Sequence, residues 1–485
     1  MKRYYLAIAL AILLLVPNLA AACTTIIVGR DVSADGSFIF GRTDDTHTIG
    51  KEQIVSVPAQ RTDLPNIFVD AHNGFTMELP KDSCQYVMTP RSESAHTGIW
   101  AESALNEFEV AISATETIIA SDTALSADPY ILNGIAESNI PTLVIPYVRT
   151  AREGIKRLGE LVDQYGSAEG NGVLIADPTE AWYMEIYTGH QWLAIKLPQD
   201  KVAVIPNAAV LGCADVADTE NVLASANLWE MPKENNFLAL SNGKPHAALT
   251  YGADRFTEHM LPGNQYRFWG GRAFLAPSQT GDIDLTAYYE AFFTPDKKVT
   301  LADCMELMRY RYEDTVNATE TNPKNRPIGV NYTEAAHLFW QRPHMPTVMW
   351  VALANPEFSV FLPFYGNLTQ TPTPYTLDSL IYNDQAAYYR FRGLTNLCIE
   401  DRVHYGADVR KYWKAMETML IGDIQRMDQA YLASGKDGDV AASLFAHIAQ
   451  RALDAAGMLH DQVMEKRIQH MAYTQDDFLS RYRDW

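Results

Sequence analysis

The stretch that most constrains this chain is Cys23-Thr24-Thr25-Ile26-Ile27-Val28-Gly29. Its β-branched residues read as a buried strand, and it starts directly after a leader. Residues 1–22 carry Lys2 and Arg3, an apolar run from Leu6 to Val16, Pro17, and the small-residue end Ala20-Ala21-Ala22. That is the pattern of a cleaved export signal, with an apolar run too short to span a bilayer. A cut after Ala22 makes Cys23 the first residue of an exported chain, destined for periplasm, cell surface or medium. A terminal cysteine holds a thiol and a free α-amine together, so an attacking group sits beside its own general base and needs no histidine. The reference pKa of the amine, about 7.7–8.0, is matched to that of a thiol, about 8.5. Two other readings stay open. Cys23 is also the small hydrophobe that a strand buries, or the acylated anchor of an exported binding lipoprotein, although lipid processing favours Leu three residues before the cysteine, where this chain has Ala20.

The formal net charge of −20 excludes nucleic acid and anionic membranes as partners. No later window is apolar and long enough for a membrane helix. The 485 residues suffice for one large domain or two smaller ones. Cys23, Cys84, Cys213, Cys304 and Cys398 are too widely spaced for a CxxC metal or redox motif. In an oxidising compartment the last four could form two disulfides, leaving Cys23 as the odd one.

After the first strand, Arg30-Asp31-Val32-Ser33-Ala34-Asp35-Gly36 is turn-rich, and Ser37-Phe38-Ile39-Phe40-Gly41-Arg42 is strand-like. A hairpin pairing Val28 with Ser37 places Cys23 opposite Arg42 with Asp45 beside them, collecting thiol, amine, guanidinium and carboxylate at its open end. Glu109 to Ala114 reads as a strand. The flanking Asn106-Glu107 and Thr115-Glu116-Thr117 are either site residues or turn and surface polars. Val144, Val148, Ala151, Ile155, Leu158, Val162 and Tyr165 recur at helical spacing, with Gly166 placed to stop the helix. Val173–Ala176, Ala181–Tyr187, Trp192–Leu197 and Val202–Pro206, joined by short turns, predict a four-stranded antiparallel meander that delivers Asn207 to its end. Residues 213–345 are loop-rich, with a helix over Leu301 to Arg311 and an aromatic-basic cluster from Tyr266 to Arg272. Val348–Ala354 and Phe358–Pro363 predict a second hairpin. Helical spacing sets in from about Asp408, through Val409, Trp413, Met416, Leu420, Ile424 and Met427. The expected organisation is a leader over 1–22, a main domain over 23–370, and a mostly helical extension over 371–485 packed on it.

The opening block, together with Asp35-Gly36-Ser37, Gly41-Arg42-Thr43-Asp44-Asp45, Asn106-Glu107, Val110 to Thr117, Gly189-His190-Gln191-Trp192, Asn207 and Trp350 to Tyr365, resembles a known family. It is that of the cysteine dipeptidases related to secernins, within the N-terminal-nucleophile group that includes choloylglycine hydrolases, penicillin V acylases and acid ceramidase. The likeness spans roughly residues 23–370. It implies an α+β, four-layer αββα sandwich of two antiparallel sheets with a C-terminal helical appendage. It also implies hydrolysis of short peptides through a thioester, without metal or other cofactor. Carried over by position, Cys23 is the nucleophile and its amine the base, Arg42 and Asp45 tune and orient them, and Asn207 stabilises the oxyanion. Arg272 looks like the group's distal arginine, with Arg267 a competitor. Asn106, Thr115 and Glu116 would border the substrate. Glu116 replaces an asparagine of the acylase branch, and a carboxylate there suits the ammonium of a dipeptide better than an acyl tail. An acylase acting on bile-salt or penicillin V-like amides is the alternative within the same machinery. A homo-oligomer is compatible with all of this.

Overall fold

The computed structural model describes residues 23–46, 52–91, 101–253, 262–378 and 381–482. The export leader expected over residues 1–22 lies outside them. Strands β1 (Thr24–Val28) and β2 (Phe38–Asp45) come first, followed by β3 (Val55–Val57), β4 (Tyr86–Pro90), β5 (Ala101–Asn106) and β6 (Ala111–Glu116). Helix α1 (Ala151–Tyr165) precedes β7 (Asn171–Ala176), β8 (Ala181–Ile186), β9 (Trp192–Lys196), β10 (Val202–Ile205) and β11 (Val222–Ala224). Then come α2 (Gly263–Leu275), β12 (Phe292–Phe293), α3 (Leu301–Arg309), β13 (Thr333–Gln341), β14 (Val348–Leu353) and β15 (Leu362–Phe364). The chain closes with α4 (Ala387–Glu400), α5 (Ala407–Ala433) and α6 (Gly438–Tyr482).

Two antiparallel sheets result, a seven-stranded one in the order β12-β10-β1-β2-β13-β14-β15 and an eight-stranded one in the order β11-β9-β8-β7-β6-β5-β4-β3. Alternation along the strands sorts the core. Ile27, Phe40, Phe339, Leu105, Leu174, Tyr183 and Leu193 fill the space between the sheets. Ile112, Val173, Ile175, Trp182 and Met184 face outward against Ile155, Leu158 and Val162 of α1. On the other side α2 lies directly on β10, where a Cβ at Gly271 would come 2.5 Å from Val204. The layers are therefore αββα, as the resemblance implies. Among the described residues no helix is long and apolar enough to cross a membrane.

Several local expectations change. The meander has three strands in one sheet, β7-β8-β9, and the fourth run, Val202–Ile205, crosses to the other sheet to pair with β1. All four of its residues are buried, so it suits an interior position covered on both faces rather than an edge beside β9. The helix expected from Val144 begins at Ala151, where Thr150 caps it by accepting from the Glu153 amide, and Val144 ends a separate short helix, Ile140–Val144. Gly166 stops α1 with φ 75°. All five cysteines are free, and Cys84, Cys304 and Cys398 are buried individually in the core, so the two disulfides do not form.

The C-terminal helices dock by buried ion pairs as well as apolar contact. Arg309 of α3 meets Glu417 of α5 at 2.5 Å, and Arg342, just after β13, meets Asp428 of α5 at 2.5 Å.

Candidate active site

Cys23 immediately precedes β1 and is 2 % exposed. The ladder pairs Thr24 with Thr43 and Thr25 with Arg42, so Cys23 comes opposite Asp44 and not Arg42. The connection is longer than the hairpin expected from the sequence. The Gly29 amide donates to Lys201, Arg30–Val32 forms a 3-10 turn, and Phe38 pairs with Gln341 of β13. A shift of two residues preserves faces. Cys23, Arg42 and Asp44 therefore share the side facing the second sheet, while Asp45 turns to the other. Across the opposite edge Thr25 pairs with Ile205, and continuing that register by two residues brings Asn207 beside Cys23.

Arg267 fastens this end of the sheet. Its Nη1 donates to the Cys23 carbonyl at 2.6 Å, and its Nη2 donates to Asn207 Oδ1 at 2.9 Å and Asn264 Oδ1 at 2.5 Å. Asn264, one turn earlier on α2, donates to the Asn207 carbonyl at 2.7 Å. With its Oδ1 held by Arg267, Asn207 presents its NH2 edge, which donates to the Glu116 carbonyl at 3.3 Å. Arg272 does not reach this place. It stands over the Phe293 ring and donates to the Glu290 carbonyl. The helix sets the choice, because Asn264 and Arg267 share a face at i, i+3 and Arg272 does not.

On the thiol's side lies a buried charged network. Arg42, 0 % exposed, reaches Glu102 at 2.8 Å and Glu137 at 3.2 Å. Arg91 contacts Asp44 at 2.5 Å, Glu52 at 3.3 Å and also Glu102. Burial pushes the Cys23 thiol well above its ordinary pKa. Arg42 pulls it down, but Asp44, Glu137 and Glu102 oppose that pull. Arg42 taken alone favours a thiolate, but burial and the neighbouring acids outweigh it, so the thiol is held neutral. Burial likewise raises Glu102 and Glu52, whereas Arg91 holds Asp44 below the usual carboxylate range despite its burial.

Two groups of carboxylates are close enough to share a cation: Asp44, Glu52 and Glu102, and Glu116, Glu137 and Glu169. The first already surrounds the Arg91 guanidinium. In the second, the Glu137 amide donates to Glu169 at 2.6 Å.

The remaining expected residues divide. Asp45 accepts from Arg326 at 3.0 Å and Thr333 at 2.7 Å on the face away from the thiol. It lies on the side of Arg267, whose guanidinium burial and Arg326 push down to about 9, and Asp45 opposes that shift. Asn106 spends its side chain on structure, donating to Ile145 and Val148 carbonyls and accepting from the Phe108 and Val110 amides. Thr115 is buried and donates only weakly, to the Glu116 carbonyl at 3.4 Å. Glu116 is exposed at the end of β6, beside Asn207. Glu102, Glu137, Glu169 and Arg91 went unnoticed in the sequence, since they come from separate loops and strands with no shared spacing. Asn264-x-x-Arg267 carried a usable signal, a polar pair at helical spacing inside an aromatic segment.

The sequence profile of peptidase family C69 matches residues 22–415. The chain belongs to this peptidase family. Among relatives similar to it, a probable dipeptidase B of Streptococcus pyogenes serotype M1 is 32 % identical over 429 residues, covering 84 % of each chain. A probable dipeptidase of Latilactobacillus sakei is 32 % identical over 427 residues, covering 84 % of this chain and 88 % of the relative. A solved structure, that of a mutant conjugated bile acid hydrolase from Clostridium perfringens, aligns at 11 % identity over 68 % of this chain and 89 % of its own, with a TM-score of 0.27. The family match begins beside the cysteine at which the site is built.

Proposed function

We propose that the protein is an exported cysteine dipeptidase that works through a thioester on Cys23, once the leader has been removed before that residue. The observation that carries the reading is the Arg267 clasp, which holds the Cys23 carbonyl and the Asn207 side chain in one grip. The named dipeptidases similar to the chain support the substrate class. The leader pattern supports export.

In this mechanism the freed α-amine takes the thiol proton as sulfur attacks the scissile carbonyl. The Asn207 NH2 donates to the developing oxyanion, its orientation fixed by Arg267. The intermediate collapses when the protonated amine returns its proton to the departing nitrogen, leaving an aminoacyl thioester. Water, deprotonated by the same amine, then releases the acid. Because the thiol is neutral at rest, the amine and not a preformed thiolate sets the reactivity.

Intact mass and N-terminal sequencing of the natively processed protein test the reading together with assays on a dipeptide panel, conjugated bile salts and penicillin V. A free Cys23 terminus with dipeptide turnover, abolished in a folded Cys23→Ala variant, is expected. A diacylglyceryl mass on Cys23, or turnover surviving Cys23→Ala, would remove it. Hydrolysis of the bile salts or penicillin V without dipeptide turnover would transfer the machinery to the acylase alternative.

A further inference from the structure

We propose that Glu116, Glu137 and Glu169 form a subsite for the free ammonium group of the substrate's first residue, so that the site selects unblocked aminoacyl compounds. This deepens the dipeptidase reading and rests on it for the identity of the acyl group. In an aminoacyl substrate the α-nitrogen stands only about 2.5 Å from the carbonyl carbon, two bonds away. A subsite for that nitrogen must therefore border the nucleophile. Glu137 is placed to do so, because Arg42, with which it pairs at 3.2 Å, lies on the same face of the sheet end as Cys23.

The three carboxylates each offer one oxygen, and no two of these lie farther apart than 4.8 Å. Three acceptors about 2.8 Å from a tetrahedral nitrogen stand about 4.6 Å from one another, so an ammonium with three N–H donors suits this spread. The cluster also leaves buried acceptors waiting for donors. Asn171, 0 % exposed, lies directly across from Glu116 in the β6–β7 ladder and donates to the Glu169 carbonyl, yet its own Oδ1 has no hydrogen-bond partner among the described residues. Glu137, 4 % exposed, has its Oε1 3.2 Å from Arg42 Nη1, an ion pair without an aligned hydrogen bond among the described residues, so this oxygen still has room for a donor. Buried acceptors without donors are costly, and an ammonium satisfies them.

The electrostatics agree. Burial and the neighbouring acids push Glu169 up to about 8; Glu116 is exposed as a residue, but its carboxyl is desolvated where it faces Glu137, and both effects raise it to about 7. Empty, the three carboxylates crowd one another, and Glu116 and Glu169 hold protons more readily than ordinary glutamates. A cation relieves the repulsion, whereas an N-acylated substrate brings no charge and adds a carbonyl acceptor where the site already has an excess of acceptors. The exposed end, Glu116, lies beside Asn207, so the ammonium and the oxyanion fall on neighbouring groups.

The test is calorimetric titration at pH 8.5 of the Cys23→Ala protein with L-alaninamide and with N-acetyl-L-alaninamide, repeated in Glu116→Gln and Glu169→Gln backgrounds, with calcium as competitor. The free amine should bind, and the acetylated compound should bind at least about 10-fold more weakly. Each Gln variant should weaken alaninamide about 10–100-fold and leave the acetylated compound unchanged. Glu116 is exposed, so its variant keeps the test open if Glu169→Gln does not fold. Equal affinity for the two compounds, unchanged alaninamide binding in a folded variant, or tight calcium binding that displaces alaninamide would each overturn the proposal. If alaninamide binds as expected but the active enzyme cleaves no dipeptide, the dipeptidase reading fails while the subsite stands. If N-acetyl dipeptides are cleaved as well as free ones, the subsite fails while the hydrolase reading stands.

Discussion

At the residue scale, the site depends on which arginine points where. Arg267 is 2 % exposed and bonded to Cys23, Asn207 and Asn264, whereas half-buried Arg272 bonds only to the rim. Arg267→Ala is expected to lower kcat at least about 100-fold, because the oxyanion donor loses its orientation. Arg272→Ala is expected to leave kcat within about threefold, and steady-state kinetics on one dipeptide check both. The acids of the proposed ammonium subsite make a second prediction, about pH. Glu169 and Glu116 are pushed up to about 8 and 7 in the folded chain, while an unfolded Glu titrates at about 4.3. Between those values the folded state binds more protons, so their contribution to stability is fully present below about pH 4.3 and is lost as pH rises toward 8. Urea unfolding at pH 5.5 and 8 should show the wild type losing stability over that window and Glu169→Gln losing less.

At the element scale, the decisive step is the passage of β10 from one sheet to the other, which carries Asn207 to Cys23. Its pairing with β1 was hidden in the sequence, because four consecutive apolar residues after a short turn read equally well as the next strand of a meander. By contrast β1, β2 and α1 were legible from β-branched runs and a 3.6-residue stripe, and the shared face of Cys23 and Arg42 was read correctly, although the ladder was two residues off and Asp45 lies on the opposite face. A glycine shows how closely β10 is held. A methyl group on Gly271 would stand 2.5 Å from Val204, closer than packed carbons tolerate, so Gly271→Ala must displace either α2 or β10. A loss of about 1–3 kcal/mol is expected in urea unfolding, accompanied by a lower kcat, since α2 bears Arg267 and β10 leads to Asn207.

At the scale of the whole molecule, the C-terminal helices are built into the sheet's support. Asp428 is 0 % exposed and receives Arg342 and the Tyr365 hydroxyl. Asp428→Ala strands a largely buried guanidinium, and the expected cost is about 3–5 kcal/mol in urea unfolding. Helical spacing in this region was plain in the sequence. The partners were not, since an ion pair between residues 86 positions apart leaves no local trace. The same long reach governs the site. Cys23 immediately precedes the first described strand, yet its clasp comes from a residue 244 positions later, and Asp45 is held by Thr333, 288 positions away. The nucleophile of the proposed mechanism is thus the earliest part of the site to be synthesised, and its partners come from much later in the chain. Closing such long loops is slow, so a nascent or half-folded chain carries the thiol without the groups that orient its chemistry. Under the proposed mechanism topology acts as a timer, keeping the thiol idle until nearly the whole chain has come together around it.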